Sequence, residues 1–368
     1  MASANGSHLV GRREFLRRSG MLGLAAAVGP LLAACSSGSD QPVLNFLNWQ
    51  DYIAPDTLAK FRAASGITTT YQTYASNDEL SRDLVQAGRP RRAGRGPGTF
   101  DLMVPSDNFV RRFVGDDLLE QLDHSKLSNL ANLRPEYRNE AFDPGNRYTV
   151  PWATGTTGIG YDTTALSSPP DWDVFGDARF KGKMTVLAEI RDAFGAALFS
   201  LGKDPNTTSA ADVDAAASQL IKWKGVIAGF DSATYLDRLA RGELVVAHAY
   251  SSDLLEARSR NPNLAFVLPP QGALRWVDSL AIPTEAEHVD NALEFMDFYL
   301  RPGVSADVST SVQVDTGNAK SFPLLPASLQ NDPVVFPPAD VLAKLAFTAD
   351  LGDAEKLYTE AWKRVQAA

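Results

Sequence analysis

Two short stretches concentrate residue types suited to holding an organic cation. Trp49-Gln50-Asp51-Tyr52 puts two aromatics, an amide and a carboxylate side by side, and Trp276-Val277-Asp278 sets an indole two positions from a carboxylate. A carboxylate supplies the countercharge for an ammonium group, while aromatic faces attract the cation and cover its methylenes. At strand spacing Trp276 and Asp278 point to the same face, so both can address one ligand. A charge between Trp276 and Leu280 on a half-buried strand would be costly unless paired. For the first stretch a second reading stays open, in which Trp49 and Tyr52 are core aromatics beside a solvated Asp51.

Residues of this kind need strand-to-helix loops to position them. Val43 to Leu47 is a short apolar run that suits a buried strand. After residues 48–52 the chain resumes as a helix, with Pro55 suited to its first position, Leu58 and Phe61 on one face and Gly66 at its stop. In open α/β sheets ligands bind at the carboxyl ends of strands, where such loops sit. Ile67 to Tyr74 reads as a second strand, and Asn77 can cap a helix bearing Leu80 and Leu84. Phe100 to Val104 is a strand running into Pro105 and Ser106, and Ser106 can cap a helix carrying Val110, Phe113 and Val114. Tyr148 to Asp162 is apolar and glycine-rich without a G-x-G-x-x-G fingerprint, which reads as a chain crossing between two domains. Met184 to Ala188 is a strand, followed by a helix with Phe194, Leu198 and Leu201 on one face. Leu244 to Ala249 is a buried strand in which His248 reads as a core histidine. Leu264 to Leu268 is a further strand, and Val289 to Leu300 and Glu355 to Val365 are helices. The alternation of strands and helices, with several crossings, predicts an α/β fold class with two lobes around a cleft.

Composition limits the alternatives. The chain has 368 residues, 44% hydrophobic and 21% charged, enough for two domains with adequate cores. Residues 1–34 read as a targeting segment, with a twin-arginine pattern at Gly11-Arg12-Arg13-Glu14-Phe15-Leu16-Arg17 and an apolar stretch from Met21 to Leu32 too short to span a membrane. Leu32-Ala33-Ala34-Cys35 is a lipobox. Cys35, the only cysteine, is therefore expected to carry a lipid that anchors the chain to a membrane, with residues 35–42 as tether. Removing the leader's four arginines and one glutamate takes the net charge from −9 to −12, a balance that argues against nucleic acid and is compatible with cationic ligands. Gly88 to Gly98 is basic but lacks interleaved aromatics and is expected to be a surface loop. Gly176 to Met184 misses the phosphate-loop spacing. The mature part holds only His124, His248 and His288, with no serine elbow or metal-ligand spacing, so neither an enzyme nor a bound cofactor or metal is expected. A structural envelope lipoprotein and a binder of a different organic cation or small solute are the remaining rivals.

The wording of the motifs adds a resemblance. Asn48 to Phe61 followed by Ser65-Gly66-Ile67, then Asp101-Leu102-Met103-Val104-Pro105-Ser106, then Trp276 to Pro283, occur in the order found in the spermidine/putrescine-binding proteins of polyamine uptake ABC transporters. The resemblance covers essentially all of residues 43–368 and is strongest to the putrescine-binding type. It implies a two-lobe periplasmic-binding-protein-like fold with a ligand cleft between the lobes and hinge crossings, one lobe from 43–152 plus 283–318 and the other from 153–282 plus 319–368. It implies a lipid-anchored receptor, expected to be a monomer, that captures a polyamine and delivers it to permease subunits in the membrane. By matching position the ligand-binding set would be Trp49, Gln50, Asp51, Tyr52, Ser106, Glu189, Asp192, Tyr250, Asp253, Trp276 and Asp278. Arg191 could instead neutralise one of its neighbouring acids. Gln50, Asn108, Tyr250 and Val314 depart from the family's residues at ligand-contacting positions.

Overall fold

The computed structural model describes residues 42–74, 77–87 and 100–368. The twin-arginine pattern, Cys35 and the basic stretch 88–98 lie outside the described residues. In chain order the elements are β1 (Val43–Trp49), α1 (Thr57–Ser65), β2 (Thr68–Tyr74), α2 (Asn77–Ala87), β3 (Leu102–Met103), α3 (Asp107–Gly115), β4 (Thr149–Asp162), β5 (Met184–Val186) and α4 (Ile190–Ser200). There follow α5 (Ala210–Lys224), β6 (Gly229–Phe230), α6 (Tyr235–Ala240), β7 (Val246–Tyr250), α7 (Ser251–Arg260), β8 (Leu264–Val267) and β9 (Ala273–Ala281). The chain closes with α8 (Val289–Tyr299), α9 (Pro302–Val312), α10 (Ala327–Gln330), α11 (Ala339–Leu342), β10 (Leu345–Phe347) and α12 (Glu355–Ala367).

The strands form one mixed sheet in the order β2-β1-β3-β9-β4-β7-β5-β6, with β8 on β4 and β10 on β9. β1 runs parallel to β2 and β3, and β5 runs parallel to β6 and β7, whereas β4 is antiparallel to β7, β8 and β9. The fourteen residues of β4 are buried almost throughout, as expected of a strand covered on both faces. Its first half, with Val150, Trp152 and Ala153, packs into a core shared with Phe46, Phe61 and Phe295. Its second half, with Ile159 and Tyr161, packs into another core built on Trp172, Phe194, Trp223 and Trp362. The stretch read as a crossing is thus a single long strand joining two cores, about 46 Å long at strand rise. Within the first core Trp152 and Tyr299 stack with centroids 4.4 Å apart.

Local expectations shift in three places. α1 starts at Thr57, not Pro55, because Thr57 N donates to the Ala54 carbonyl at 3.1 Å and closes a turn over the proline. Gly66 does end α1, in the left-handed conformation at φ 77° that glycine adopts without a Cβ penalty. Leu201 does not share the buried face of Phe194 and Leu198, since α4 ends at Ser200 and Leu201 is 38% exposed. The strand expected over 100–104 is regular only at β3, and Asp101 instead accepts hydrogen bonds from Asn45, Glu287 N and His288 N. His248 is buried in β7, edge-on to Trp172, and burial pushes its pKa down to about 3, which keeps it neutral. Its Nδ1 has no hydrogen-bond partner among the described residues.

Candidate functional site

Sheet register places the acid–aromatic groups on one surface. Across β4 and β9, Ala153 faces Asp278 and Gly155 faces Trp276. Across β4 and β7, Thr157 faces Tyr250. Residues two apart on a strand share a face, and directly opposed residues share it too. Asp278, Trp276 and Tyr250 therefore line one face around Ala153, Gly155 and Thr157 of β4.

One end is built on Asp278, which is buried. Beyond β3 the chain bridges β9 at Ser106 and Asp278, with Ser279 N donating to the Pro105 carbonyl at 3.0 Å. That bridge aims the Ser106 hydroxyl at the carboxylate, to which it donates at 2.6 Å, while Tyr52 OH donates to the other oxygen at 2.9 Å. Ser106 occupies the position before α3, yet its side chain makes no cap hydrogen bond; it is spent on Asp278 instead. Asn77, read as a helix cap, donates to Ser106 Oγ at 3.0 Å. Tyr52 is held by its own carbonyl, which accepts from Asn48 Nδ2 at 3.1 Å and Trp152 Nε1 at 3.2 Å. Asp51, at φ 54°, makes the turn between them. Burial pushes the Asp278 carboxyl up to about 6, partly opposed by the Ser106 and Tyr52 hydrogen bonds. Tyr52 is raised well above the usual phenol value by burial and by Asp278, so it remains a neutral donor. Trp49 packs on Tyr74 with centroids 4.5 Å apart, and its Nε1 donates to the Val104 carbonyl at 2.9 Å.

The other end is built on Asp192 in the first turn of α4. Tyr250 OH donates to its carboxylate at 3.0 Å. Burial pushes Asp192 up to about 7; the hydrogen bond from Tyr250 and the charge of Arg191 oppose the shift and Glu189 adds to it. Asp253, in the first turn of α7, accepts from Tyr235 OH at 2.5 Å and is raised by burial. Ser251 Oγ accepts from Thr156 N at 3.1 Å.

Between the ends lies Trp276. A Cβ added to Gly155 would stand 2.3 Å from Trp276 Cζ2 and 2.8 Å from Ser251 Oγ, so the indole occupies the space that the missing side chain leaves. The Trp276 Nε1–H has no hydrogen-bond partner among the described residues; the ring contributes area and a π face. Gly155→Ala is therefore expected to displace the indole while leaving the backbone intact, and to weaken ligand binding about tenfold or more by removing one aromatic contact. Paired near-ultraviolet circular dichroism and titration calorimetry check this.

Of the remaining expected residues, Gln50 and Asp51 stand apart from these groups, and Glu189 lies close to one of them. Gln50 and Asp51 are exposed, and Gln50 Nε2 donates to Asp51 at 3.3 Å. Among the described residues no hydrogen bond joins them to Asp278 or Asp192. Glu189 is exposed just before α4, near enough for its charge to raise Asp192 and Tyr250. The Arg191 guanidinium bonds Glu355 at 2.5 Å, Asn206 at 2.8 Å and the Ala349 carbonyl at 2.9 Å, and its charge favours the Asp192 anion. Asn77, Gly155, Thr157, Tyr235 and Ser251 were not expected at the site. Each has an ordinary local explanation in sequence, as cap, glycine-rich strand or helix start, and only long-range pairing shows its second role. Asp107 is also buried here, with Oδ2 unpartnered among the described residues, and burial and Asp278 raise its carboxyl well above the usual range. Among the described residues no group of three His, Cys, Asp or Glu is arranged to hold a metal ion. What the arrangement can do is neutralise cations at two carboxylates whose charged forms are penalised while the site holds none.

A family model described as bacterial extracellular solute-binding protein matches residues 56–337. The chain is 33% identical over 375 residues to the putrescine-binding periplasmic protein PotF of Escherichia coli, covering 96% of this chain and 99% of that protein. It is 31% identical to the putrescine-binding periplasmic protein SpuD of Pseudomonas aeruginosa, covering 96% and 99%. Among solved structures, the spermidine/putrescine substrate-binding protein PotD of Streptococcus pneumoniae matches with TM-score 0.79 at 26% identity over 89% of this chain and 99% of that one. The TpPotD lipoprotein of Treponema pallidum matches with TM-score 0.77 at 28% identity over 88% and 99%.

Proposed function

Since the chain belongs to the bacterial extracellular solute-binding protein family, we propose that it is a polyamine receptor that takes putrescine or spermidine between the Asp278 and Asp192 ends of the site. The observation that carries this reading is the pair of carboxylates dressed by hydroxyls, Asp278 by Ser106 and Tyr52 and Asp192 by Tyr250, on a face shared with Trp276. A polyamine is an alkyl chain with ammonium groups whose pKa is near that of lysine, about 10. It needs an acid for each end and apolar or aromatic cover between them. Trp276, Tyr52 and Tyr250 supply the cover; Trp49 supports it from behind through Tyr74. The family binds solutes and does not transform them, which sets aside the hydrolase.

The remaining parts of the proposal come from the leader and the core layout. Cys35 carries a lipid, export follows the twin-arginine pattern, and the receptor hands its cargo, as a monomer, to ABC-transporter permease subunits from the outer side of the membrane. Two lobes, 43–152 with 283–318 and 153–282 with 319–368, close on the ligand about β4 and β9, a hinge motion of the kind ligand-binding domains use. The separate cores that β4 joins support two lobes, with Leu280 of β9 and Ile282 just after it packed in the first core. The test is titration calorimetry of the purified protein against putrescine, cadaverine, spermidine, spermine and agmatine. Saturable binding of at least one at one molecule per chain is expected. Silence across the whole panel overturns the proposal in favour of another solute or of a structural lipoprotein.

A further inference from the structure

We propose that Tyr235 is a positioning residue for the Asp192 end of the site, and that Asp253 acts on the ligand through Tyr235 rather than by receiving an ammonium group itself. The inference rests on the polyamine reading above and deepens it. Tyr235 opens α6 and is 1% exposed. Its hydroxyl donates to Asp253 Oδ2 at 2.5 Å and accepts from Tyr250 N at 3.3 Å. Tyr250, whose backbone is held in this way, donates its own hydroxyl to Asp192 at 3.0 Å. Three hydrogen bonds thus connect Asp253 with the carboxylate that meets the ligand: two meet at the Tyr235 hydroxyl, and Tyr250, held by its backbone N–H, makes the third with its own phenol.

Asp253 is accounted for without a ligand. It stands in the first turn of α7, where helix N–H groups favour an anion, and it accepts a short phenol hydrogen bond, with a second contact from Ser252 Oγ at 3.4 Å. Asp192, by contrast, has the Tyr250 hydroxyl as its donor, and the Arg191 guanidinium, whose charge favours the Asp192 anion, is bonded to Glu355 instead. Hydrogen bonds that meet at one group in a low-dielectric interior strengthen one another, so the Asp253 bond firms the Tyr235 hold on the Tyr250 backbone and with it the placing of the Tyr250 ring. Orientation at such a site matters because a displaced donor loses its bond steeply with distance and angle.

The test compares Tyr235→Phe, Asp253→Ala, Asp253→Asn and the double variant Tyr235→Phe/Asp253→Ala with the wild-type protein, by calorimetry across pH 5–8. Tyr235→Phe and Asp253→Ala are each expected to weaken binding about 3–10-fold, as for the loss of one hydrogen bond. The double variant should be no worse than either single one, because both break the same chain. Asp253→Asn, which keeps a carbonyl to accept from Tyr235, should recover most of the loss. In Tyr235→Phe the pH midpoint of binding should also move upward, since a displaced Tyr250 no longer stabilises the Asp192 anion beside Glu189 and Arg191. A loss of packing alone would leave that midpoint in place. The inference is overturned if Asp253→Asn binds as poorly as Asp253→Ala while Tyr235→Phe binds normally, or if the midpoint does not move. Failure of the wild-type protein to bind any polyamine would overturn the functional reading instead.

Discussion

Asp278→Ala is expected to weaken polyamine binding by at least about a hundredfold. Breaking a buried ion pair by removing one partner costs about 3–5 kcal/mol, and 1.4 kcal/mol is tenfold. The loss is large here because the side chain organises its whole surroundings. Ser106 and Tyr52 both donate to it, and Asn77 in turn donates to Ser106, so truncation also strands half-buried hydroxyls. Asp278→Asn separates the two contributions. It keeps the size and one acceptor but not the charge, so a loss nearly as large as that of Asp278→Ala assigns the effect to charge. Calorimetry at pH 8, with circular dichroism as a control for folding, makes the measurement; unchanged affinity in Asp278→Ala would remove this residue from the site.

Affinity is also expected to fall steeply with acidity, by about a thousandfold between pH 8 and pH 5. Burial pushes Asp278 up to about 6 and Asp192 up to about 7, and each pH unit below a group's pKa costs about tenfold when the bound form is the anion. The ligand's ammonium groups do not titrate in this window, so the change belongs to the protein. The sign for stability runs the other way. Both carboxyls have folded values raised above the unfolded value near 4, so their contribution favours the folded empty chain at low pH and is lost as pH rises through about 6 and 7. Bound polyamine reverses that penalty by pairing with the anions. The rise in Tm on adding ligand should therefore be larger at pH 8 than at pH 5. A ligand shift in Tm that is flat over this range would show that the two acids do not ionise on binding.

Much of the molecule was legible from local rules. The apolar run at Val43, the glycine stop at Gly66, the strand alternation around Trp276 and Asp278 and the amphipathic helix from Val289 each depend on spacing within a few residues, and the described elements follow them. Family wording over residues 43–368 carried the fold and the solute-binding assignment, because its motifs are long and fall in order. Limits show where one residue has two competing uses. Ser106 and Asn77 both look like caps, since Ser and Asn satisfy orphan helix N–H groups; here Ser106 turns to the buried Asp278 carboxylate and Asn77 turns to Ser106.

Side-chain types and their order along the chain, then, determined that this protein alternates strands and helices, carries acids beside aromatics, and belongs with extracellular solute binders. Tertiary structure decided which acids are buried and which are not. Asp278 on β9 is buried with two hydroxyl partners and Asp192 on α4 is half-buried with one, whereas Asp51 stands exposed on its turn. It also decided that Gly155 must lack a side chain and that Tyr235 reaches Asp253. The physical reason is that burial and hydrogen bonding arise from pairings between residues far apart in sequence, such as Tyr52 with Asp278 and Asp192 with Tyr250. No local pattern encodes those distances.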